Sequence, residues 1–375
     1  LAIVCPNGLG HFRRTVAILE RLLDIHGPLQ IELACQQWQV ERLLQTVKFS
    51  DIWRQSVNYN FGITQDLVFW AESSQELSTT LLTRWIDKVR PSYLDSFDFV
   101  LSDNLTGILE LRSDAVLMGS FLWSDVLESN FKHNPEVAGF IAHERNLLEI
   151  HRPPMLCVGP LATLGVLDRT RPIRCNFMFY SRFESYTPSA GSEPPWTVAV
   201  LSGARNKTCE KLHHKLIEHL LREDKWRISL PIETLQNSLL TKDQKSSIDV
   251  FNFSQKAYRM CDAIIARPGM GTIHDTLAAG TPLLCSYEYN HELAHLASRL
   301  SALGLGVDFG SNLDGSALNR ALESLLSTSS LRKQREARSK LGTGGLDQAA
   351  AWITGYIEGR TQVYTNSSDL TDPKI

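Results

Sequence analysis

The segment from Ala266 to Gly306 reads ARPGMGTIHDTLAAGTPLLCSYEYNHELAHLASRLSALGLG. An aliphatic strand pattern runs into the turn Arg267-Pro268-Gly269-Met270-Gly271, and a helical pattern begins at Thr272. Gly280 ends this helix, and another buried strand follows it. A strand, a glycine-rich turn, a helix and a second strand in this order are typical of a parallel α/β sheet, in which ligands bind at such turns.

The turn itself suits a phosphate ligand. Backbone N–H groups of Gly269, Gly271 and Thr272 are free at the start of the helix, where the helix dipole favours a diphosphate. Asp275 lies one turn further along, and its carboxylate can accept hydrogen bonds from the two vicinal hydroxyls of a ribose. The alternative is a plain glycine-rich connection without a ligand.

The same alternation of short aliphatic runs and longer helical patterns extends through both halves of the chain. It breaks where RTRP and YTPSAGSEPP replace the periodic pattern, and it resumes at TVAVLSG. The fold class predicted is α/β, with two facing Rossmann-like, doubly wound domains. The boundaries predicted are an N-terminal domain at 1–163, a linker at 164–196, a C-terminal domain at 197–345, a closing helix at 346–360 and a flexible tail at 361–375.

The composition excludes several partners. Thirty-eight Lys plus Arg against 41 Asp plus Glu give a net charge of −3, so no nucleic-acid partner is expected. No apolar run approaches the roughly 20 residues of a transmembrane helix. No transmembrane segment is therefore expected, and peripheral contact with a membrane is the remaining alternative. The seven cysteines are scattered without a C-x-x-C pair, which argues against disulfides and favours a cytoplasmic location.

A second glycine turn follows the first strand, at Pro6-Asn7-Gly8-Leu9-Gly10-His11-Phe12-Arg13-Arg14. Gly8 and Gly10 let the backbone approach a ligand closely, and His11 is delivered at the carboxyl edge of the sheet. Arg13 stands where the dinucleotide fingerprint requires its third glycine, so an NAD enzyme is not expected. The alternative is an ordinary turn with a surface histidine.

Asp103 ends a strand that should lie in the same sheet, within Asp98-Phe99-Val100-Leu101-Ser102-Asp103-Asn104. Catalytic groups gather at such strand ends, so Asp103 could hold the ring of His11 as a general base. The alternative is that Asp103 caps the following helix.

These motifs resemble the GT-B glycosyltransferases, especially the branch of the peptidoglycan N-acetylglucosaminyltransferase and the UDP-glycosyltransferases. The family pattern G-x-x-T-x-x-E-x-x-A-x-G-x-P is matched by Gly269, Thr272, Asp275, Ala278, Gly280 and Pro282, with Asp for Glu. The resemblance implies a hexosyl- or N-acetylhexosaminyltransferase that moves a sugar, with inversion, from a nucleotide-diphosphate sugar such as a UDP-sugar. It implies no cofactor, and an acceptor that is a small molecule, a glycan or a lipid-linked sugar.

The resemblance also implies site residues. It makes His11 the base and Asp103 its partner, and it makes the N-terminal domain the acceptor side. Donor-binding residues expected in addition are Gly8, Gly10, Arg14, Gly203, Arg205, Phe251, Asn252, Arg267, Gly269, Gly271, Thr272, Asp275, Asn290, His291 and Glu292. Phe251 and Asn252 would line the base pocket, and Asn290, His291 and Glu292 would meet the sugar.

Two alternatives stay open. The pattern G-x-G-H-x-x-R, which ends at Arg14, is similar to a nucleotide-sugar hydrolase of the pseudaminic-acid route, in which the histidine serves water. The stretch His291-Glu292-Leu293-Ala294-His295 satisfies H-E-x-x-H, the zinc-peptidase motif, although no third ligand is obvious. The expected metal content is none, because the sequence lacks a D-x-D motif. Arg205 and Arg267 are expected to meet the diphosphate charge instead.

Overall fold

The computed structural model describes residues 1–45, 47–65, 67, 85–131, 133–177, 193–203, 207–238 and 240–359. The N-terminal sheet contains β1 Ala2–Val4, β2 Ile31–Ala34, β3 Val57–Asn60, β4 Leu101–Asp103, β5 Val116–Met118, β6 Pro154–Val158 and β7 Arg171–Cys175. The C-terminal sheet contains β8 Trp196–Leu201, β9 Trp226–Pro231, β10 Asp249–Phe251, β11 Ala263–Ala266, β12 Leu283–Ser286 and β13 Val307–Gly310.

All strand pairs in both sheets are parallel. The strand order is β3-β2-β1-β4-β5-β6-β7 in the first sheet and β10-β9-β8-β11-β12-β13 in the second. In each sheet the order reverses beside the first strand of the domain, which is where open α/β sheets bind their ligands. The predicted fold class, two doubly wound α/β domains, is therefore confirmed.

The helices of the N-terminal half are α1 Leu9–His26, α2 Gln37–Leu44, α3 Asp51–Ser56, α4 Pro91–Leu94, α5 Trp123–Phe131, α6 Pro135–His151 and α7 Leu164–Arg169. Those of the C-terminal half are α8 Lys207–Leu220, α9 Ile232–Asn237, α10 Lys242–Ser246, α11 Gln255–Met260, α12 Met270–Ala279, α13 His291–Ala302, α14 Gly315–Leu326, α15 Thr328–Ser339 and α16 Gly345–Ile357. Short 3₁₀ turns occupy Trp85–Lys88, Thr106–Glu110 and Gly159–Leu161. Within the described ranges, no helix has the length and apolar character required to cross a bilayer.

Helix α1 shows how the sequence positions the first site. Its buried residues Phe12, Val16, Leu19 and Leu23 recur at helical spacing, so one face packs on the sheet. The helix begins after Gly8, whose φ of 110° is accessible mainly to glycine, and the turn directs the start of the helix to the carboxyl edge of β1.

One apolar cluster spans the two domains, and each domain has a further cluster of its own. A cluster of buried residues runs from Val4 and Phe12 through Leu161 to Met270 and Ile273 of the C-terminal domain. The closing helix α16 packs on α1 and on β7, so the chain returns to the domain in which it begins. The domains therefore meet over a packed surface, and the two carboxyl edges face a common cleft.

The segment predicted as a linker, 164–196, contains helix α7 and strand β7, which is the outer strand of the N-terminal sheet. Strand β7 reads RPIRC, and only Cys175 in it is buried. An exposed edge strand of this kind carries no apolar alternation, which is why its sequence does not indicate a strand. Residues 178–192 of the predicted linker and the predicted tail at 361–375 lie outside the described residues.

Candidate functional site

The first glycine turn is held open toward the cleft. Gly8 donates to the Pro6 carbonyl at 2.8 Å, and its own carbonyl accepts from Gln39 at 3.1 Å. A Cβ built at Gly8 or Gly10 meets no atom within 4 Å, so space is left in front of the turn. The turn therefore suits a ligand that approaches the backbone closely.

His11 and Asp103 meet as the sequence predicts. Asp103 ends β4, which pairs with β1 in a register that sets Asp103 beside Val4. His11 Nδ1 lies 2.8 Å from Oδ1 of Asp103, whose side chain is fully buried. The carboxylate can only accept, so Nδ1 is the donor in this contact, and in the neutral ring Nε2 then carries the lone pair. The arrangement can hold His11 as a proton acceptor.

Arg14 lies behind this pair and is 3% exposed. Its Nε donates to Oδ2 of Asp103 at 2.9 Å, and its Nη2 also bonds to Oδ1 of the same carboxylate. Thr15 adds a hydroxyl bond to Oδ2 at 3.2 Å. Burial raises the pKa of the Asp103 carboxyl, but Arg14 and His11 outweigh this effect, so the pKa lies below its ordinary value. Asp103 is therefore ionised at neutral pH.

The surroundings of His11 come from both domains. Its ring stacks at 6.5 Å from Trp123 and meets the edge of Phe121 at 6.2 Å, measured between ring centroids. From the other domain, the half-buried Glu292 interacts electrostatically with His11 and Asp103. Burial raises the pKa of the Glu292 carboxyl, and His11, Arg267 and Arg14 oppose this shift. The histidine thus has aromatic walls on one side and a carboxyl group of the second domain near it.

The second glycine turn begins the helix as predicted. Gly269 is the N-cap of α12 and donates to the Arg267 carbonyl at 2.8 Å, and a Cβ at Gly269 would meet nothing within 4 Å. Thr272 lies partly exposed on the first helical turn. Gly280 ends the helix in the left-handed conformation, with φ 77°. The turn presents open backbone N–H groups at a helix N-terminus, the arrangement that binds phosphate.

Asp275 has a partner that the sequence does not indicate. Arg13 of α1 donates two hydrogen bonds to it, from Nη1 to Oδ2 at 3.1 Å and from Nη2 to Oδ1 at 3.0 Å. The pair joins residues 262 positions apart, one from each domain. The predicted ribose ligand therefore lies in a bidentate ion pair across the cleft, and its role as a ribose ligand stays a prediction.

The expected phosphate-binding arginines differ in their surroundings. Arg267 makes an ion pair with Glu288 at 2.7 Å, and its Cδ would lie 3.8 Å from a Cβ at Gly203, which has φ 81°. Arg267 and Gly203 therefore lie together at the adjoining ends of β11 and β8. Arg205 lies outside the described residues.

The proposed base pocket requires a correction at Phe251. Its side chain is 2% exposed and packs edge-on against Phe253 and Tyr258, because the last residue of β10 points into the core. Asn252 is exposed, and its side-chain oxygen accepts from the Ser254 amide at 3.0 Å. Phe253, which has φ 56°, is the half-buried ring that follows the strand.

The stretch that begins at Asn290 forms the start of α13. Asn290 caps the helix by accepting from the amides of Glu292 at 2.9 Å and Leu293 at 3.3 Å, so its side-chain oxygen is engaged within the protein. Helix α13 packs against α5 of the N-terminal domain and against the Gly159–Leu161 turn. These contacts place His291 and Glu292 at the domain interface, beside the cleft.

The H-E-x-x-H alternative finds little support in this setting. His295 interacts with the backbone of Ala162 and Leu161, and burial lowers its pKa. Across the described ranges, no three His, Cys, Asp or Glu side chains converge as metal ligands. The motif lies in α13, the helix that packs against the N-terminal domain.

Sequence reasoning missed one buried histidine. The pair His213-His214 lies on the charged helix α8, where solvent exposure is the natural expectation, but His213 is fully buried. Its Nδ1 lies 3.0 Å from the Ser202 hydroxyl, and its Nε2 lies 3.0 Å from the Ser286 carbonyl. Burial lowers its pKa to about 4. Because its neighbours in sequence are polar, the sequence pattern does not indicate which face of α8 is buried.

No family model matches the chain, and no curated protein matches it in sequence. Solved structures do match over almost the whole chain. The glycosyltransferase of kitacinnamycin is 16% identical with a TM-score of 0.60, covering 94% of this chain and 97% of its own. A UDP-glucosyltransferase from Polygonum tinctorium is 12% identical with a TM-score of 0.64, covering 96% and 98%.

A third match is a spinosyn rhamnosyltransferase in complex with thymidine diphosphate, 14% identical with a TM-score of 0.58, covering 95% of this chain and 99% of its own. At such low sequence identities, the similarity of the structures shows the fold alone. The chain has the two-domain GT-B fold of these glycosyltransferases.

Proposed function

We propose that this chain is an inverting glycosyltransferase, which needs no metal and transfers a hexosyl or N-acetylhexosaminyl group from a nucleotide-diphosphate sugar to an acceptor hydroxyl. The observation that carries the proposal is the hydrogen bond of 2.8 Å between His11 and the buried Asp103, at an edge that faces the glycine turn of α12. A base on one domain and an anion-binding turn on the other are the two parts that such a transfer requires.

The C-terminal domain holds the donor in this proposal. The amides of Met270, Gly271 and Thr272 and the dipole of α12 receive the diphosphate, and Arg267 adds positive charge. The charge that develops on the leaving diphosphate is stabilised by these groups, which are in place before the reaction. Glu292, between the turn and His11, accepts hydrogen bonds from the sugar hydroxyls.

The N-terminal domain deprotonates the acceptor. Nε2 of His11 takes the proton of the attacking hydroxyl, and the ionised Asp103 stabilises the resulting imidazolium. The hydroxyl attacks the anomeric carbon from the side opposite the diphosphate, so the configuration inverts. The spinosyn enzyme bound to thymidine diphosphate and the plant UDP-glucosyltransferase support a nucleotide-diphosphate donor for this fold.

A second candidate, hydrolysis of the nucleotide sugar, is favoured by one observation. Arg14 completes the G-x-G-H-x-x-R pattern, and its guanidinium donates hydrogen bonds to both oxygens of Asp103. The arginine of that pattern is therefore part of the catalytic pair itself. In this case His11 activates water, and no acceptor is needed.

The test is a thermal-shift screen with UDP-, dTDP- and GDP-sugars, with the free sugars as controls. A ligand that binds only the folded state raises the melting temperature, so one nucleotide sugar should give a shift that its free sugar does not. If none does, and zinc alone stabilises the protein, the proposal is wrong. Incubating the true donor without acceptor then separates the two candidates, because only a hydrolase releases free sugar at a catalytic rate.

A further inference from the structure

The ion pair between Arg13 and Asp275 joins the two domains inside the proposed donor site. Both nitrogens of the guanidinium fork bond to the two carboxylate oxygens, at 3.1 and 3.0 Å. The side chain of Asp275 keeps only 4% of its surface exposed, against 18% for Arg13. The carboxylate therefore has almost no accessible surface for another ligand while Arg13 holds it.

The position of the guanidinium is equally informative. A Cβ built at Gly271 would lie 3.2 Å from Nη1 of Arg13, closer than an ordinary contact, so the glycine leaves room for this group. Gly271 belongs to the first turn of α12, where the proposed function places the diphosphate. Arg13 thus lies beside the phosphate position while it pairs with the ribose carboxylate.

A ribose can reach Asp275 only if Arg13 withdraws. Separating a buried carboxylate from its bidentate partner is costly unless both groups gain new partners. A nucleoside offers hydroxyls to the carboxylate but no anionic partner to the guanidinium. A nucleoside diphosphate supplies both partners, because its phosphate oxygens lie next to the site that Arg13 already occupies.

We infer that Arg13 makes the donor site selective for the diphosphate: on binding, the guanidinium exchanges Asp275 for phosphate oxygens, and the freed carboxylate accepts the ribose hydroxyls. The inference rests on the proposed function. It assigns to Arg13 a role in donor recognition from the domain opposite the nucleotide site. It also explains why an arginine stands at the position where a dinucleotide-binding turn requires glycine.

The experiment measures dissociation constants by calorimetry for the pairs uridine and UDP, thymidine and dTDP, and guanosine and GDP. In the wild-type protein the diphosphate should bind far more tightly than its nucleoside. In Arg13→Ala the diphosphate should lose roughly 10- to 100-fold in affinity. The nucleoside should bind as well or better, because Asp275 no longer has to be released.

Arg21→Ala is the matched control, since Arg21 lies on the same helix and pairs with the exposed Asp347 of α16. This variant should change neither the dissociation constant of the nucleoside nor that of the diphosphate. Arg13→Gln keeps a polar side chain without the charge, and it replaces the alanine variant if that variant does not fold. A loss of the same factor for nucleoside and diphosphate, or no change in either, overturns the inference. Failure of all three diphosphates to bind the wild-type protein instead overturns the proposed function.

Discussion

The His11 imidazole and the Asp103 carboxylate lie in hydrogen-bond contact at 2.8 Å although 92 positions separate them in the chain. The contact exists because β1 and β4 are neighbours and both end at the same edge of the sheet. It gives His11 a defined tautomer and an anion to balance the charge that it gains when it takes a proton.

We therefore expect His11→Ala to lower turnover by roughly 10²- to 10⁴-fold, the usual contribution of a positioned general base. Donor affinity should stay within a few fold, because the histidine acts on the acceptor. Steady-state kinetics and calorimetry with the donor measure the two quantities. Full activity in this variant would show that the glycine turn is structural and that the base lies elsewhere.

Asp103→Asn should lower both turnover and stability, because it leaves the buried Arg14 without an anionic partner. Loss of one member of a buried pair costs about 3 to 5 kcal/mol of stability. The double variant Asp103→Asn, Arg14→Met removes both buried charges, so it should recover the melting temperature and stay slow. Recovery of turnover along with stability would mean that Asp103 only supports the fold. Adding Asp103→Asn to His11→Ala should lower turnover little further, since the ring it orients is gone.

Asp275→Ala should weaken binding of the nucleoside diphosphate and of the nucleotide sugar by the same factor, because both ligands carry the same ribose. Leaving the ribose hydroxyls unpaired costs about 1 to 3 kcal/mol, and the net loss is smaller than this by the energy no longer needed to separate Arg13 from Asp275. Asp347→Ala, which removes a carboxylate from the exposed pair with Arg21, is the control. An unchanged dissociation constant in folded Asp275→Ala would remove the residue from the donor site.

Glu292→Gln should distinguish recognition of the sugar from recognition of the nucleotide. We expect kcat/KM to fall roughly 10- to 100-fold, while the affinity for the free nucleoside diphosphate stays the same. Because burial raises the pKa of Glu292, its ionised form is lost as the pH falls through that raised pKa. Protonation of Glu292 should therefore add to the decline of the wild-type rate on the acid side, and the Gln variant should lack that contribution. A variant that binds the free diphosphate more weakly would place Glu292 at the nucleotide.

Two buried histidines should make the protein sensitive to acid. Burial lowers the pKa of His213 and of His274 to about 4, against 6.5 when they are exposed. Between these values the unfolded chain binds protons that the folded protein does not, so stability is full above pH 6.5 and is lost toward pH 4. Each histidine accounts for a loss of stability on the order of 3 kcal/mol between pH 6.5 and pH 4. The urea midpoint should fall across this window, and less so in His213→Gln. An identical decline in that variant would contradict the assignment.

Much of this molecule can be predicted from local sequence. The glycine turns before α1 and α12 are short, and both follow aliphatic strands, so their place at the sheet edges follows from general rules of α/β folds. The contact of His11 with Asp103 can be predicted too, once β1, which precedes His11, and β4, which ends at Asp103, are assigned to one sheet. Each of these features depends on residues within a few positions of one another or on adjacent strands.

The features that could not be predicted depend on the other domain or on burial. Arg13 finds Asp275 across the cleft, and no local pattern connects the two residues. His213 lies among charged neighbours on α8, yet it faces the ends of β8 and β12. Phe251 closes a strand of three residues, too short for its pattern to show which face is buried. Tertiary packing decides all three.

The residues that follow β7 lie beside the segment that leads into the closing helix α16. After β7, Asn176 donates its amide to the Gln348 side chain at 2.7 Å, and Phe177 donates to the Gly342 carbonyl at 3.1 Å. The chain that leaves the N-terminal domain is thus bonded to the chain that returns to it. The end of β7 and the start of the closing helix α16 are therefore held together, and a displacement of one has to carry the other with it.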